Sequence, residues 1–187
     1  MPRLQAVIPE TTTGRVRELL DQVQTSLGVT PNLARTLANS PAALEGYLNF
    51  GDALRRGLLP SKLREQIALV VAQANDCAYC LAAHTAIGRT EGLSEEAILD
   101  SRRGESPNSK DATALEFAGK LVSERGRVGD EDLMRLRRSG YSDTEIAEII
   151  ANVALHQFTT YFNHVAMTEV DFPKVEALAG KGRGLVS

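Results

Sequence analysis

The sequence predicts an all-α protein, a compact multi-helix bundle, and three observations carry that expectation. Apolar residues recur at three- and four-residue spacing along most of the chain, and no segment shows the alternation of a half-buried strand. Aromatics make up only 5% of the 187 residues and Trp is absent, so the core must come from Leu, Ile, Val and Ala, which suit close helix packing. Pro31, Pro41 and Pro60 stand where helix starts tolerate proline, and Ser142 with Glu145 has the spacing of a capping box.

The elements follow in order. Val16, Leu19, Leu20 and Val23 mark a first helix, with Gly28 as its stop. Pro31 opens a short segment to Asn39, Pro41 a longer one through Leu54, and Pro60 a helix whose apolar stripe is Leu63, Ile67, Val70, Val71 and Ala74. Asn75-Asp76 breaks that helix, and Asp76 is the expected cap of the next, Cys77 to Arg89, which ends near Gly92. Ser94-Glu95-Glu96 starts another.

Residues 102–110, rich in Gly, Ser, Pro and Asn, read as a loop. Asp111 to Glu124 is amphipathic through Leu115, Ala118 and Val122, and Asp130 opens a short helix. The strongest helix follows Ser142, with Ile146, Ile149, Ile150, Val153, Phe158, Tyr161, Phe162 and Val165 in helical register. The expected organisation is an N-terminal helical arm over 1–40, a helical core over 41–175 and a flexible tail over 176–187.

Composition excludes several function classes. Hydrophobic residues are 43% and charged residues 24%, ordinary globular usage that argues against disorder. The formal net charge is −3, and the clusters Arg102-Arg103 and Arg135-Leu136-Arg137-Arg138 read as solvated faces balanced by nearby acids, so no nucleic-acid partner is expected. No membrane partner is expected either: Gln73 interrupts the apolar run from Ile67, and Glu148 and Asn152 interrupt the one from Ile146. The N-terminus, Met1-Pro2-Arg3-Leu4-Gln5, lacks the apolar stretch of a signal peptide, which points to the cytoplasm. In a reducing compartment a lone close pair of cysteines is more often redox-active or metal-binding than a staple.

That pair, Cys77 and Cys80, carries the chemistry. At a helix start the two share a face with His84. Sulfurs at this spacing reach disulfide geometry with little backbone movement. Backbone N–H groups at a helix start favour a thiolate, and an imidazole one turn on can take its proton. A thiolate beside a resolving cysteine is what peroxide reduction and disulfide exchange both need. Two other readings stay open on spacing alone. The thiols could be inert core residues, or Cys77, Cys80 and His84 with Glu65 or another His could bind zinc, although the spacing departs from that of zinc fingers. His156 and His164, about 80° apart around the last long helix, could share a groove with Gln157 and Asn163. Tyr47 and Tyr161 read as core-edge aromatics.

Glu65, eleven residues, Cys77-Ala78-Tyr79-Cys80, three residues and His84 together resemble the signature of the alkylhydroperoxidase D-like branch of the carboxymuconolactone decarboxylase superfamily. The match proper spans Leu59 to Gly92. The resemblance implies an all-α fold of that type, a trimer or hexamer, and a thiol peroxidase without a bound cofactor. By motif position Cys80 is the peroxidatic cysteine, Cys77 the resolving one, His84 the base and Glu65 part of the proton relay. The implied partners are a hydroperoxide substrate and a dithiol reductant, lipoyl- or thioredoxin-like. In thioredoxin-like motifs the first cysteine is the usual nucleophile, which would favour Cys77. The step from Cys80 to His84 and the resemblance favour Cys80. One departure is plain: Ala78-Tyr79 stands where the mycobacterial type of the enzyme carries a second His between its cysteines. Alternatives to a peroxidase are a redox sensor or partner-binding protein, and a cysteine-independent enzyme of the wider superfamily using His84 or His156.

Overall fold

A computed structural model describes residues 1–176 and 178 of the chain. Nearly all of the tail expected over 176–187 therefore lies outside the described residues. Among the described residues there are nine α-helices and no strand. They are α1 (Gly14–Leu27), α2 (Asn32–Leu37), α3 (Pro41–Arg55), α4 (Ser61–Ala74), α5 (Ala78–Thr90), α6 (Glu95–Arg103), α7 (Ser109–Ser123), α8 (Asp130–Arg138) and α9 (Asp143–Ala166).

Helix α4 is the hub, packed by α5, α6, α7 and α9. Its sequence explains this: Gln66 to Ala72 is buried at every position, so the helix is enclosed on all sides rather than along one stripe. Its Leu63, Ile67, Val70 and Val71 form the main core with Ala114, Leu115, Phe117, Ala118 and Leu121 of α7, Leu136 of α8, and Ile146, Ile149 and Val153 of α9. A second cluster joins Leu19, Leu20 and Val23 of α1 to Ala34 and Leu37 of α2, Ala38 at its C-terminal end and Leu44 of α3, with Phe162 of α9 packed against it. The N-terminal helices thus sit on the bundle through α3 and α9.

The caps fall largely where the sequence places them. Gly28 ends α1 in the left-handed region, and Ser94 and Ser142 accept the N–H groups of Ala97 and Glu145. Glu145 Oε2 accepts the Ser142 N–H at 2.8 Å, completing the capping box. The loop expected over 102–110 is shorter. Helix α6 runs on through Arg103 to Gly104 in the left-handed region, and Asn108 Oδ1 caps α7 by accepting the N–H groups of Lys110 and Asp111.

Arg102 is not on a solvated face either. It is buried, donating from Nε to Gln73 Oε1 at 2.9 Å and from Nη2 to the Glu176 carbonyl at 2.8 Å. On α9 the apolar register splits: Ile146, Ile149 and Val153 are buried, while Ile150, Phe158, Tyr161 and Val165 remain exposed. No helix among the described residues is long and apolar enough to cross a membrane.

Candidate active site

The site begins at the junction of α4 and α5. Asp76 N–H donates to the Gln73 carbonyl at 3.2 Å and Cys77 N–H to the Ala72 carbonyl at 3.0 Å, with Asp76 left-handed at φ 51°. These two bonds and that conformation end α4 as a Schellman motif. Asp76 is therefore the terminator of α4 rather than the cap of α5, which corrects the expectation from sequence. The cap is Cys77, whose Sγ accepts the Cys80 N–H at 3.2 Å. A residue held in the left-handed turn cannot also adopt the extended backbone that capping requires, so the role passes one position along.

Cys77 and Cys80 form a disulfide, with α-carbons 5.2 Å apart. Both residues are enclosed, at 1% and 4% exposure. Around them lie Ala72, Tyr79, Leu81 and Ala83, and Leu33, Val170 and Phe172 pack against this cluster as a cover. Tyr79 helps to hold that cover. Its hydroxyl accepts the Leu33 N–H at 3.1 Å, and its ring meets Phe172 edge-on at 5.8 Å. Burial pushes the Tyr79 phenol far above the ordinary tyrosine range, so it stays protonated and does not replace a titrating histidine. On the other side of the cover, Asp171 Oδ2 accepts the Asn32 N–H at 2.6 Å, and Asn32 Nδ2 donates to the Glu169 carbonyl.

Helix α9 supplies the remaining wall. Thr160 Oγ1 lies 3.5 Å from Cys80 Sγ, and Asn163 Nδ2 donates to the same sulfur at 3.4 Å. A disulfide sulfur carries no hydrogen, so the Thr160 hydroxyl is the donor. Neither residue was singled out from the sequence as a partner of Cys80, although Asn163 stood beside the expected His156 groove. The available signal was a polar series, His156, Thr160 and Asn163, at four- and three-residue spacing along one face of α9.

One turn beyond Cys80, His84 Nδ1 is 2.9 Å from Glu65 Oε2, linking α5 to α4 with both side chains mostly buried. His156 stands edge-on to the His84 ring, with centroids 4.7 Å apart. Burial, with a smaller contribution from the charge of His84, holds the His156 imidazole well below the ordinary histidine range. Thus Glu65, His84 and His156 make one chain of contacts, and Cys77, Cys80, Thr160 and Asn163 make another. Among the described residues no hydrogen bond joins Cys80 to His84. His164 is exposed, apart from His156. Gln157 pairs with Asn75 instead, Asn75 Nδ2 donating to Gln157 Oε1 at 3.0 Å.

The four residues weighed as zinc ligands do not converge, since the sulfurs bond each other and His84 Nδ1 is engaged by Glu65. Among the described residues no other group of His, Cys, Asp or Glu has metal-holding geometry. What the site can do chemically is cycle a dithiol and a disulfide beside a carboxylate-linked imidazole.

Residues 41–119 match the carboxymuconolactone decarboxylase family. A peroxidase-related protein from Ralstonia eutropha JMP134, described as an alkylhydroperoxidase AhpD core, superposes with a TM-score of 0.82 at 24% identity, over 91% of this chain and 92% of that one. A peroxidase-related protein from Silicibacter sp. TM1040 gives a TM-score of 0.76 at 23% identity, over 90% and 94%. The debrominase Bmp8, in a cysteine-to-alanine variant with 2,3,4-tribromopyrrole bound, gives 0.78 at 19% identity, over 91% and 93%. No curated protein sequence matches the chain significantly. The segment 41–119 matches the carboxymuconolactone decarboxylase family, and the fold around it is the one shared by the alkylhydroperoxidase D-like structures.

Proposed function

We propose that the protein is a thiol-dependent oxidoreductase that reduces hydroperoxides through the Cys77–Cys80 couple. The observation that carries the reading is the disulfide at the start of α5, one turn from a histidine held by a buried-side carboxylate. In the cycle, the Cys80 thiolate attacks the peroxide O–O bond and becomes a sulfenic acid, and the alkoxide leaves with one proton as an alcohol. The Cys77 thiol then attacks the Cys80 sulfur, forming the disulfide and releasing water. An external dithiol, lipoyl- or thioredoxin-like, reduces the disulfide and is itself oxidised. His84 takes the Cys80 proton through an intervening water, and Glu65 stabilises the imidazolium that forms.

Two features favour Cys80 as the attacking sulfur. It is the sulfur reached by Thr160 and Asn163, and it lies one turn from His84. The helix-start N–H contact goes to Cys77, and it is the feature that favours the other sulfur. The exposed apolar face of Phe158, Tyr161 and Val165 supports a homo-oligomer, trimer or hexamer.

The likeness to a debrominase raises a second thiol reaction, attack on a halogenated ring, and the assay can separate the two. Turnover of cumene hydroperoxide with a dihydrolipoyl reductant, lost in Cys80→Ser, is the expected result. Turnover of a bromopyrrole but of no hydroperoxide would replace the peroxidase reading. Activity that survives Cys80→Ser would remove the thiol from the mechanism.

A further inference from the structure

We infer that Thr160 and Asn163 are catalytic donors that hold the negative charge of the Cys80 thiolate. The inference rests on the reading above for the identity of the reacting sulfur, and it gives a chemical role to the two contacts that help to pick that sulfur out.

A threonine inside a helix ordinarily satisfies its hydroxyl on a carbonyl of the preceding turn. Thr159 does so, donating to the His156 carbonyl at 3.0 Å. Its neighbour Thr160, 1% exposed, makes no such bond, and among the described residues its hydroxyl has Cys80 Sγ as its one partner. Asn163, 4% exposed, likewise directs its side-chain amide to that sulfur alone, and its Oδ1 is buried without a partner.

As a way to stabilise a core, this arrangement is poor. A sulfur in a disulfide is a weak acceptor, and an orphaned carbonyl beside it is costly. Two apolar side chains of the same shape would pack with neither penalty. Opening the disulfide changes the balance. A thiolate is a full anion, and two converging donors in a water-poor setting stabilise it far more than they stabilise the disulfide.

The other surroundings leave that task to α9. The cover of Leu33, Val170 and Phe172 is apolar, and Tyr79 turns its hydroxyl to Leu33. The titratable neighbours at the start of α5 and along it are Cys77 and His84, and His84 is engaged by Glu65 and His156. The helix start contributes its N–H to Cys77 rather than to Cys80. The step the donors assist is loss of the Cys80 proton, S–H to S⁻, with His84 receiving the proton.

The test measures iodoacetamide alkylation of Cys80 against pH in a Cys77→Ser background, with circular dichroism as the check on folding. Thr160→Val and Asn163→Ala should each slow alkylation about tenfold at pH 6.5, by moving the whole titration curve upward. Thr160→Ser, which keeps the hydroxyl, should follow the parent curve, and Asn163→Asp should shift it further up through like-charge repulsion. Should Asn163→Ala fail to fold, Thr160→Val against Thr160→Ser decides. Superimposable curves for Val and Ser in folded protein overturn the inference. Peroxide plays no part in this readout. A parent protein that ignores peroxide would therefore defeat the peroxidase reading without altering what the alkylation curves say.

Discussion

His84 Nδ1 lies 2.9 Å from Glu65 Oε2, a contact that ties α5 to α4 across 19 residues of sequence. It fixes which ring nitrogen is engaged and leaves Nε2 as the proton acceptor. Glu65→Gln keeps the shape of this contact and removes its charge, so oxidation of the reduced protein by a hydroperoxide should slow about tenfold. His84→Asn removes the base and should slow it by roughly 10²-fold or more. Stopped-flow rates at pH 7 check both. Equal rates for all three proteins would remove the relay.

His156 makes stability depend on pH. Its imidazole is held well below the ordinary histidine range in the folded protein, so below about pH 6.5 the unfolded chain binds the proton that the folded chain excludes. The contribution of this group to stability is therefore present above that pH and is lost as pH falls, at up to about 1.4 kcal/mol per pH unit. His156→Phe should flatten the fall in urea-unfolding stability between pH 7 and pH 5. An unchanged slope in that variant would mean that His156 is protonated in the native state.

Gly57 has a reason to be glycine. A Cβ there would lie 2.6 Å from Glu148 Oε2, which already accepts the N–H groups of Leu58 at 2.7 Å and Leu59 at 3.0 Å. That carboxylate cannot move aside without releasing both. Gly57→Ala should cost about 1–3 kcal/mol, measured by denaturant midpoint, and Glu148→Gln should be milder because one acceptor oxygen remains.

Access to the disulfide is set by the cover over it. Removing the ring of Phe172 deletes its edge-on contact with Tyr79, a pair worth about 1 kcal/mol. Phe172→Ala should therefore raise the open population roughly fivefold and speed reduction of the Cys77–Cys80 bond by dithiothreitol in the same proportion. An unchanged reduction rate would mean that the reductant enters by another path.

Much of this molecule was legible in the sequence because its signals are local. Periodicity, proline at helix starts and the Ser142–Glu145 box each act within a few residues, and these elements appear where expected. Asp76 was misread for a physical reason: one polar residue between two helices can end the first or cap the second. The choice depends on a backbone angle that the sequence does not display. Arg102 was misread as solvated because its partners, Gln73 and the Glu176 carbonyl, lie far away in sequence. The Cys77-Cys80-His84 group is compact in sequence and was visible there. Thr160 was not, since its approach to Cys80 spans 80 residues and depends on how α9 packs beside α5.

Cys80 as the peroxide-reactive thiolate and Cys77 as its resolving partner can be tested together. The most direct measurement mixes the reduced protein with hydrogen peroxide and with an organic hydroperoxide in a stopped-flow instrument, followed by mass spectrometry of the product. The expected result is oxidation well above the rate of a free thiol, a Cys77–Cys80 disulfide in the parent, and a trapped Cys80 sulfenic acid in Cys77→Ser. Oxidation no faster than that of a free thiol, or a sulfenic acid found on Cys77 in Cys80→Ser at the parent rate, would contradict it.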